Sequence, residues 1–158
     1  MEALWQKPIS ALYREMFPVL MAYAQTVLSP ATAEEAVQET FEIACQKPED
    51  LFSSPNPRGW LMNTLKNTIR NIQKDREMVS DLLGQYLLAL YGQCNSAEDE
   101  LPLKELYADM ADTEAFRLLY EHAVIGLSQK EIAETRGISL AACRKRIQRA
   151  KAELKKIL

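Results

Sequence analysis

The sequence predicts an all-α protein made of two small helical domains. Glycine is scarce, with 5 in 158 residues, and residues that favour helices dominate the composition. Apolar side chains recur every three or four positions in several segments, which is the spacing of amphipathic helices, and no segment alternates like a strand. A chain of this length can bury one good core or two small ones.

The first half of the chain contains signals for two successive helices. Residues 9–29 predict the first helix, and Pro30 ends it. The second helix is expected to start near Thr32, which can form a capping box with Glu35, and to end before Pro48.

A third helix is predicted after a short loop over residues 49–55. Asn56 can cap this helix, and the proline that follows suits its first position. The helix is predicted over 57–76, and a further apolar helix over 80–92. The acidic, turn-rich stretch 93–102 is the best candidate for a linker.

The last thirty or so residues predict a helix-turn-helix. Ser128 and Glu131 form a capping box at the start of a short helix. Gly137 can end that helix in a left-handed conformation, and Ser139 can cap the next one, which is strongly basic. A short helix, a glycine turn and a basic helix are typical of proteins that place the second helix in the DNA major groove.

The net charge of −3 hides a segregated distribution of charge. Residues 1–50 carry three basic and eight acidic groups, whereas residues 51–80 carry five and two. Residues 81–113 carry one basic and seven acidic groups, and residues 114–158 carry ten and five. Charged helix faces are often only solvated, but two basic islands in an acidic protein favour two separate contacts with a polyanion.

Other classes of protein are disfavoured by what the sequence lacks. No segment reaches the roughly 18 apolar residues of a membrane span, and no signal peptide begins the chain, so a cytoplasmic location without membrane insertion is expected. Cys45, Cys94 and Cys143 are widely spaced, and with His122 they do not suit a zinc site. We expect no metal, no cofactor and no catalytic residue, because no nucleotide-binding or nucleophile motif occurs.

Three segments of the sequence resemble one known family. They read AEEAVQETFEIA in the second predicted helix, PRGWLMNTLKNTIRN in the third, and GLSQKEIAETRGISLAACRKRIQRAKAEL near the C-terminus. In this order they are similar to bacterial RNA polymerase sigma factors of the sigma-70 family, and specifically to the extracytoplasmic-function (ECF) group.

The resemblance implies a transcription initiation factor that binds core RNA polymerase and directs it to promoters. Residues 1–78 would form sigma region 2, which binds polymerase and reads and melts the −10 element. Residues 112–158 would form region 4, whose helix-turn-helix reads the −35 element. Residues 79–111 would be a partly helical linker. An anti-sigma factor is the regulatory partner that the family implies. It could cover the apolar residues between 82 and 91, which could equally pack within the protein itself.

Two sets of side chains are the candidate DNA contacts. On the basic helix, Arg can pair with guanine and Gln with adenine in the major groove, and the alternative is a solvated basic tail. The resemblance assigns the −35 element to this set: Ser139, Arg144, Lys145, Gln148 and Arg149. It assigns single-stranded −10 bases to a set with amides and cations: Phe52, Lys66, Asn67, Arg70, Asn71 and Lys74. Phe52 could equally belong to the core.

An acidic face on the second helix is the candidate protein contact. By resemblance, its partner is the clamp helices of the polymerase β′ subunit, and the residues are Glu34, Glu35, Gln38 and Glu39. Two alternatives remain. One is a helix-turn-helix regulator that binds duplex DNA without melting it, and the other is a protein that sequesters another factor.

Overall fold

A computed structural model describes residues 2–91 and 114–157, and these ranges contain seven α-helices and no strand. The helices are α1 (Glu2–Ala24), α2 (Pro30–Gln46), α3 (Pro48–Ser53), α4 (Pro57–Tyr91), α5 (Glu114–Tyr120), α6 (Gln129–Arg136) and α7 (Leu140–Ile157). A π-helical turn, Glu121–Ile125, continues α5. The all-α prediction is confirmed. None of the described helices is long and apolar enough to cross a membrane.

The chain divides into two compact units, Met1–Gln73 and Lys74–Leu158. In the first unit, α1, α2, α3 and the start of α4 enclose one core. Its buried side chains recur at helical spacing on each element: Met16, Leu20, Ala24, Leu28, Ala33, Ala36, Val37, Phe41, Ala44, Leu51, Leu61, Leu65 and Ile69. The predicted linker at 93–102 and Cys94 lie outside the described residues.

The start of α2 differs from the sequence prediction. Ser29 is its N-cap, and Ser29 Oγ accepts a hydrogen bond from the Thr32 backbone N–H at 3.4 Å. The predicted capping box between Thr32 and Glu35 is therefore wrong. The reason is that Pro30 needs no hydrogen bond for its nitrogen and suits the first helical position, so the helix begins before Thr32.

The segment predicted as a loop over 49–55 contains a short helix, α3. Pro48 occupies its first turn, and the carboxylates of Glu49 and Asp50 suit the positive end of the helix dipole there. Leu51 is buried in the first core and anchors this helix. After α3, Asn56 caps α4 as predicted, since its Oδ1 accepts from the Gly59 N–H at 3.1 Å.

A single helix, α4, replaces the two helices predicted over 57–76 and 80–92. No glycine or proline stands between residues 76 and 80, so the chemistry of the chain does not force a break there. Val79 and Leu83 lie one turn apart and are buried. The helix therefore supplies side chains to the first core before Gln73 and to the second core after it.

The second core belongs to the end of α4 together with α5, α6 and α7. Its buried side chains are Val79, Leu83, Phe116, Leu118, Leu119, Ile132, Ala133, Cys143, Ile147, Ala150 and Leu154. Leu82, Tyr86 and Leu87 pack against it and are partly buried. The protein itself thus covers Leu83 and partly covers Leu82, Tyr86 and Leu87. Leu88 is 71% exposed.

A polar cluster ties the second unit together beside this core. His122 is buried, and its Nε2–H donates to one oxygen of Asp75 at 3.0 Å. Lys151 Nζ donates to the other oxygen at 2.5 Å. The hydrogen bond from His122, opposed by partial burial and reinforced by Lys151, lowers the pKa of Asp75 from 3.8 to about 2. Asp75 thereby joins α4 to the π-helical turn after α5 and to α7.

Candidate nucleic-acid interface

The turn between α6 and α7 has the chemistry that the sequence predicts. Ser128 Oγ accepts from the Glu131 N–H at 3.0 Å, and the Glu131 carboxylate accepts from the Ser128 N–H at 3.1 Å. Gly137 ends α6 with φ 63°, in the left-handed region that favours glycine. Ser139 Oγ then accepts from the Ala142 N–H at 3.1 Å at the start of α7. The capping box, the glycine turn and the Ser139 cap are confirmed.

Helix α7 separates a buried stripe from an exposed basic face. The stripe recurs every three or four residues and faces the second core: Cys143, Ile147, Ala150 and Leu154. The side chains predicted to read duplex bases are all exposed: Arg144, Lys145, Gln148 and Arg149. Because the core holds α7 along its inner side, these four project from a fixed backbone.

Three cations of α7 already have partners within the protein. Arg146 forms an ion pair with Glu114 at 3.5 Å, and both side chains are largely exposed. Arg144 Nε donates to Gln129 Oε1 at 3.1 Å, and both side chains lie at an exposed site where water competes. This contact orients Arg144 without withdrawing it from solvent. Lys151 is different, since it is mostly covered and bound to Asp75. We therefore do not count Lys151 among the cations available to DNA phosphates.

The set of α4 side chains predicted to contact −10 bases is exposed on successive turns. Positions 66, 70 and 74 form one row and positions 67 and 71 an adjacent one, because residues four apart share a helix face. The members are Lys66, Asn67, Arg70, Asn71 and Lys74, of which the last is the first residue of the second unit. Leu61, Leu65 and Ile69 anchor the helix from behind in the first core.

Two aromatic side chains of α1 lie against predicted DNA contacts, which the sequence did not indicate. The Trp5 ring stacks on the Phe52 ring with centroids 5.2 Å apart and planes 8° from parallel. Phe52 is only half-buried and packs against the first core, so it serves the fold at the same time. Lys66 Nζ lies 5.6 Å from the centroid of the Tyr23 ring. Of these residues, the sequence marked only Phe52 and Lys66 as candidate DNA contacts. Neither Trp5 nor Tyr23 was indicated.

The acidic face of α2 borders a groove between α1 and α2. Gln38 is exposed, and its Nε2 donates to the Tyr13 hydroxyl at 3.0 Å. The groove has a volume of about 620 Å³, and its lining includes Gln38, Phe41 and Glu42. Glu34 and Glu39 are also exposed, whereas Glu35 is half-buried. Three of the four predicted side chains on this face are therefore exposed to solvent.

Comparison with protein families gives two matches, one that lies mostly in the first unit and one within the second. The family model "Sigma-70 region 2" matches residues 12–78. The model "Sigma-70, region 4" matches residues 114–154 and so contains the helix-turn-helix. Together the two matches cover more than half of the chain. The chain belongs to the sigma-70 family.

The family assignment gives the protein a general role. As a sigma-70 factor, it is a DNA-binding protein that acts in transcription and in promoter recognition. Region 2 ends within α4, and region 4 starts at the first residue of α5. No curated protein matches the chain closely enough to be counted as a relative.

Proposed function

We propose that this sigma-70 factor is an ECF-group member that binds core RNA polymerase and contacts two elements of the promoter. Helix α7 reads the −35 duplex, and α4 holds unpaired bases of the −10 element. The protein breaks no covalent bond. The proposal rests on one observation, which is that α4 and α7 each carry an exposed cationic face backed by a buried core.

The −35 contact uses side chains that suit a duplex. Arg144 and Arg149 can each form two hydrogen bonds with a guanine edge, and Gln148 can do the same with adenine. Lys145 and the Ser139 hydroxyl at the start of α7 suit phosphates. Lys151 stays with Asp75 and anchors the helix instead.

The −10 contact uses side chains that suit an open strand. The amides of Asn67 and Asn71 can bond the base edges that unpairing exposes, while Lys66, Arg70 and Lys74 neutralise phosphates. Extracting a base from the duplex costs a few kcal/mol. Binding that is stronger to the open strand than to the duplex offsets this cost and shifts the equilibrium towards the melted promoter.

The acidic face of α2 is the proposed binding site for the clamp helices of the polymerase β′ subunit. Glu34, Glu35, Gln38 and Glu39 form it, and a basic partner helix would complement their charge. An anti-sigma factor remains the proposed regulatory partner. Leu82, Tyr86 and Leu87 pack partly against the second core, so their burial does not require such a partner. The cytoplasm, where polymerase works, is the proposed location.

Run-off transcription with purified core RNA polymerase tests the proposal. Promoters would first be mapped as transcription start sites that appear after overexpression of the protein. The purified factor should then direct a specific transcript from those promoters, and core polymerase alone should not. A duplex with a premelted −10 region provides a second template on which base extraction is no longer needed.

Each outcome assigns a function. Transcription from both templates supports a complete sigma factor. Specific duplex binding without a transcript from either template supports a helix-turn-helix regulator and refutes the proposal. Absence of DNA binding at low salt, together with capture of core polymerase, would indicate a protein that sequesters polymerase.

A further inference from the structure

The second half of α1 presents a surface that has no charged residue. The sequence from Met16 to Ala33 contains no Asp, Glu, Lys or Arg, although acidic residues flank it on both sides. Within it, Val19 is 49% exposed, Tyr23 36% and Val27 51%. A surface that lacks carboxylates does not repel a polyanion, in contrast with the acidic face of α2.

Two side-chain contacts fix where this surface lies relative to α4 in the first unit. Glu15 forms an ion pair with Arg58, and Tyr23 contacts Lys66. Both steps, from 15 to 23 and from 58 to 66, are eight residues, or about 12 Å of helix. The two helices therefore run in the same direction past each other, and Tyr23 borders the Lys66 row of α4.

The backbone at Tyr23 is hydrogen-bonded at the end of α1. The Tyr23 carbonyl oxygen accepts hydrogen bonds from the Thr26 hydroxyl at 2.7 Å and from the Thr26 N–H at 3.1 Å. Its neighbour Ala24 is fully buried. Tyr23 is 36% exposed, and the Lys66 ammonium lies over its ring, 5.6 Å from the centroid.

An exposed aromatic ring close to a cation is a common feature of sites that bind single-stranded nucleic acid. A base stacks on the ring because every base has a π-face, and the cation binds the adjacent phosphate. We propose that Tyr23 stacks on an unpaired base of the melted −10 strand, and that Lys66 moves from the Tyr23 ring to a neighbouring phosphate. This inference rests on the proposed function, and it extends the strand-binding surface from α4 onto α1.

The test compares Tyr23→Ala with Tyr23→Phe in the full chain bound to core polymerase. The probe is a single-stranded −10 oligonucleotide, and a −35 duplex serves as the second ligand. Tyr23→Ala should weaken oligonucleotide binding about tenfold, since it removes a stacking contact. Tyr23→Phe keeps the ring and should bind like the natural protein. Val27→Ala is the control for the apolar surface and should change neither affinity.

A second measurement does not depend on the fold of the alanine variant. In Tyr23→Trp, the larger ring should show fluorescence quenching on addition of the oligonucleotide, beyond that of the natural protein with its own two tryptophans. Quenching by the −35 duplex to the same extent would overturn the inference. So would Tyr23→Ala with unchanged oligonucleotide affinity, or with weakened binding to core polymerase instead.

Failure of this inference can be told apart from failure of the proposed function. If Asn67→Ala weakens oligonucleotide binding and Tyr23→Ala does not, the −10 role of α4 stands and Tyr23 is excluded. If the natural protein with core polymerase does not bind the oligonucleotide at all, the proposed function itself fails.

Discussion

The polar faces of α4 and α7 differ in kind, although both helices are held in the same way. Each is anchored from behind by buried apolar side chains at helical spacing. On α7 the exposed face consists of long cations and one glutamine, whereas on α4 amides alternate with cations and an aromatic ring lies alongside. This difference in exposed chemistry is the basis of our proposal that α7 contacts duplex DNA and α4 contacts the open strand.

The largest expected effect is a loss of stability when α7 loses its contact with Asp75. The exposed side chains of α7 are unchanged in the Asp75→Ala variant. Asp75→Ala removes the common partner of His122 and Lys151 and leaves both without their acceptor. We expect a loss of about 2 to 3 kcal/mol in unfolding free energy, since a partly buried charge network loses one member. Chemical denaturation measures it. Glu77→Ala, an exposed residue of the same helix, is the control and should cost little.

Substitution of Arg149 tests duplex reading by α7. Arg149→Ala should weaken −35 duplex binding by about 1 to 3 kcal/mol if the guanidinium reads a base. Arg149→Lys keeps the charge but cannot form bidentate hydrogen bonds with a guanine. This variant should retain general DNA affinity and lose discrimination between −35 sequences. Titration against cognate and mutated duplexes at one salt concentration measures both. Equal affinity of Arg149→Ala and the natural protein would remove this residue from the site.

Substitution of Asn67 tests strand capture by α4. Asn67→Ala should lower open-complex formation about fivefold, or about 1 kcal/mol, which is the contribution of one hydrogen bond. It should leave −35 duplex affinity unchanged. Fluorescence of a base analogue in the −10 element follows melting. Asn63→Ala, one turn earlier and also exposed, is the matched control. An equal loss in both assays would contradict the division of labour.

The smallest expected effect is the contribution of Asp75 to the pH dependence of the unfolding free energy. Since Asp75 titrates at about 2 instead of 3.8, its ionised form contributes stability that is complete above the ordinary pKa. That contribution is lost as the pH falls from about 4 towards 2, and it amounts to about 1 kcal/mol after allowance for partial exposure. The loss of unfolding free energy between pH 5 and pH 2 should be smaller by about this amount in Asp75→Asn than in the natural protein. A variant that keeps the full acid dependence would show that Asp75 is not its source.

Local signals predicted the elements whose chemistry is local. The Ser128 capping box, Gly137 and the Asn56 cap depend on residues within four positions of each other, so the sequence alone was sufficient. The exposure of the Arg149 face followed from the same helical spacing. The start of α2 was mispredicted because two capping signals competed and Pro30 favoured the earlier one.

Contacts between distant residues were outside the reach of the sequence pattern. Asp75 lies 47 residues from His122 and 76 from Lys151, and nothing local marks these three as partners. The pairing of Tyr23 with Lys66 is of the same type, since the packing of α1 on α4 decides it. The apolar side chains near residue 85 were recognised as needing burial, but only the structure identifies the core that covers them.

The continuity of α4 has a consequence for anyone who exchanges modules between related factors. A crossover in the stretch 79–111, which the sequence favours as a junction, would separate α7 from Asp75 and from part or all of the α4 residues that fill its core. A hybrid made there would inherit a recognition helix without its native support. Joining the two parents inside α4 near Gln73, with the helical register preserved, keeps each set of core residues with its own parent.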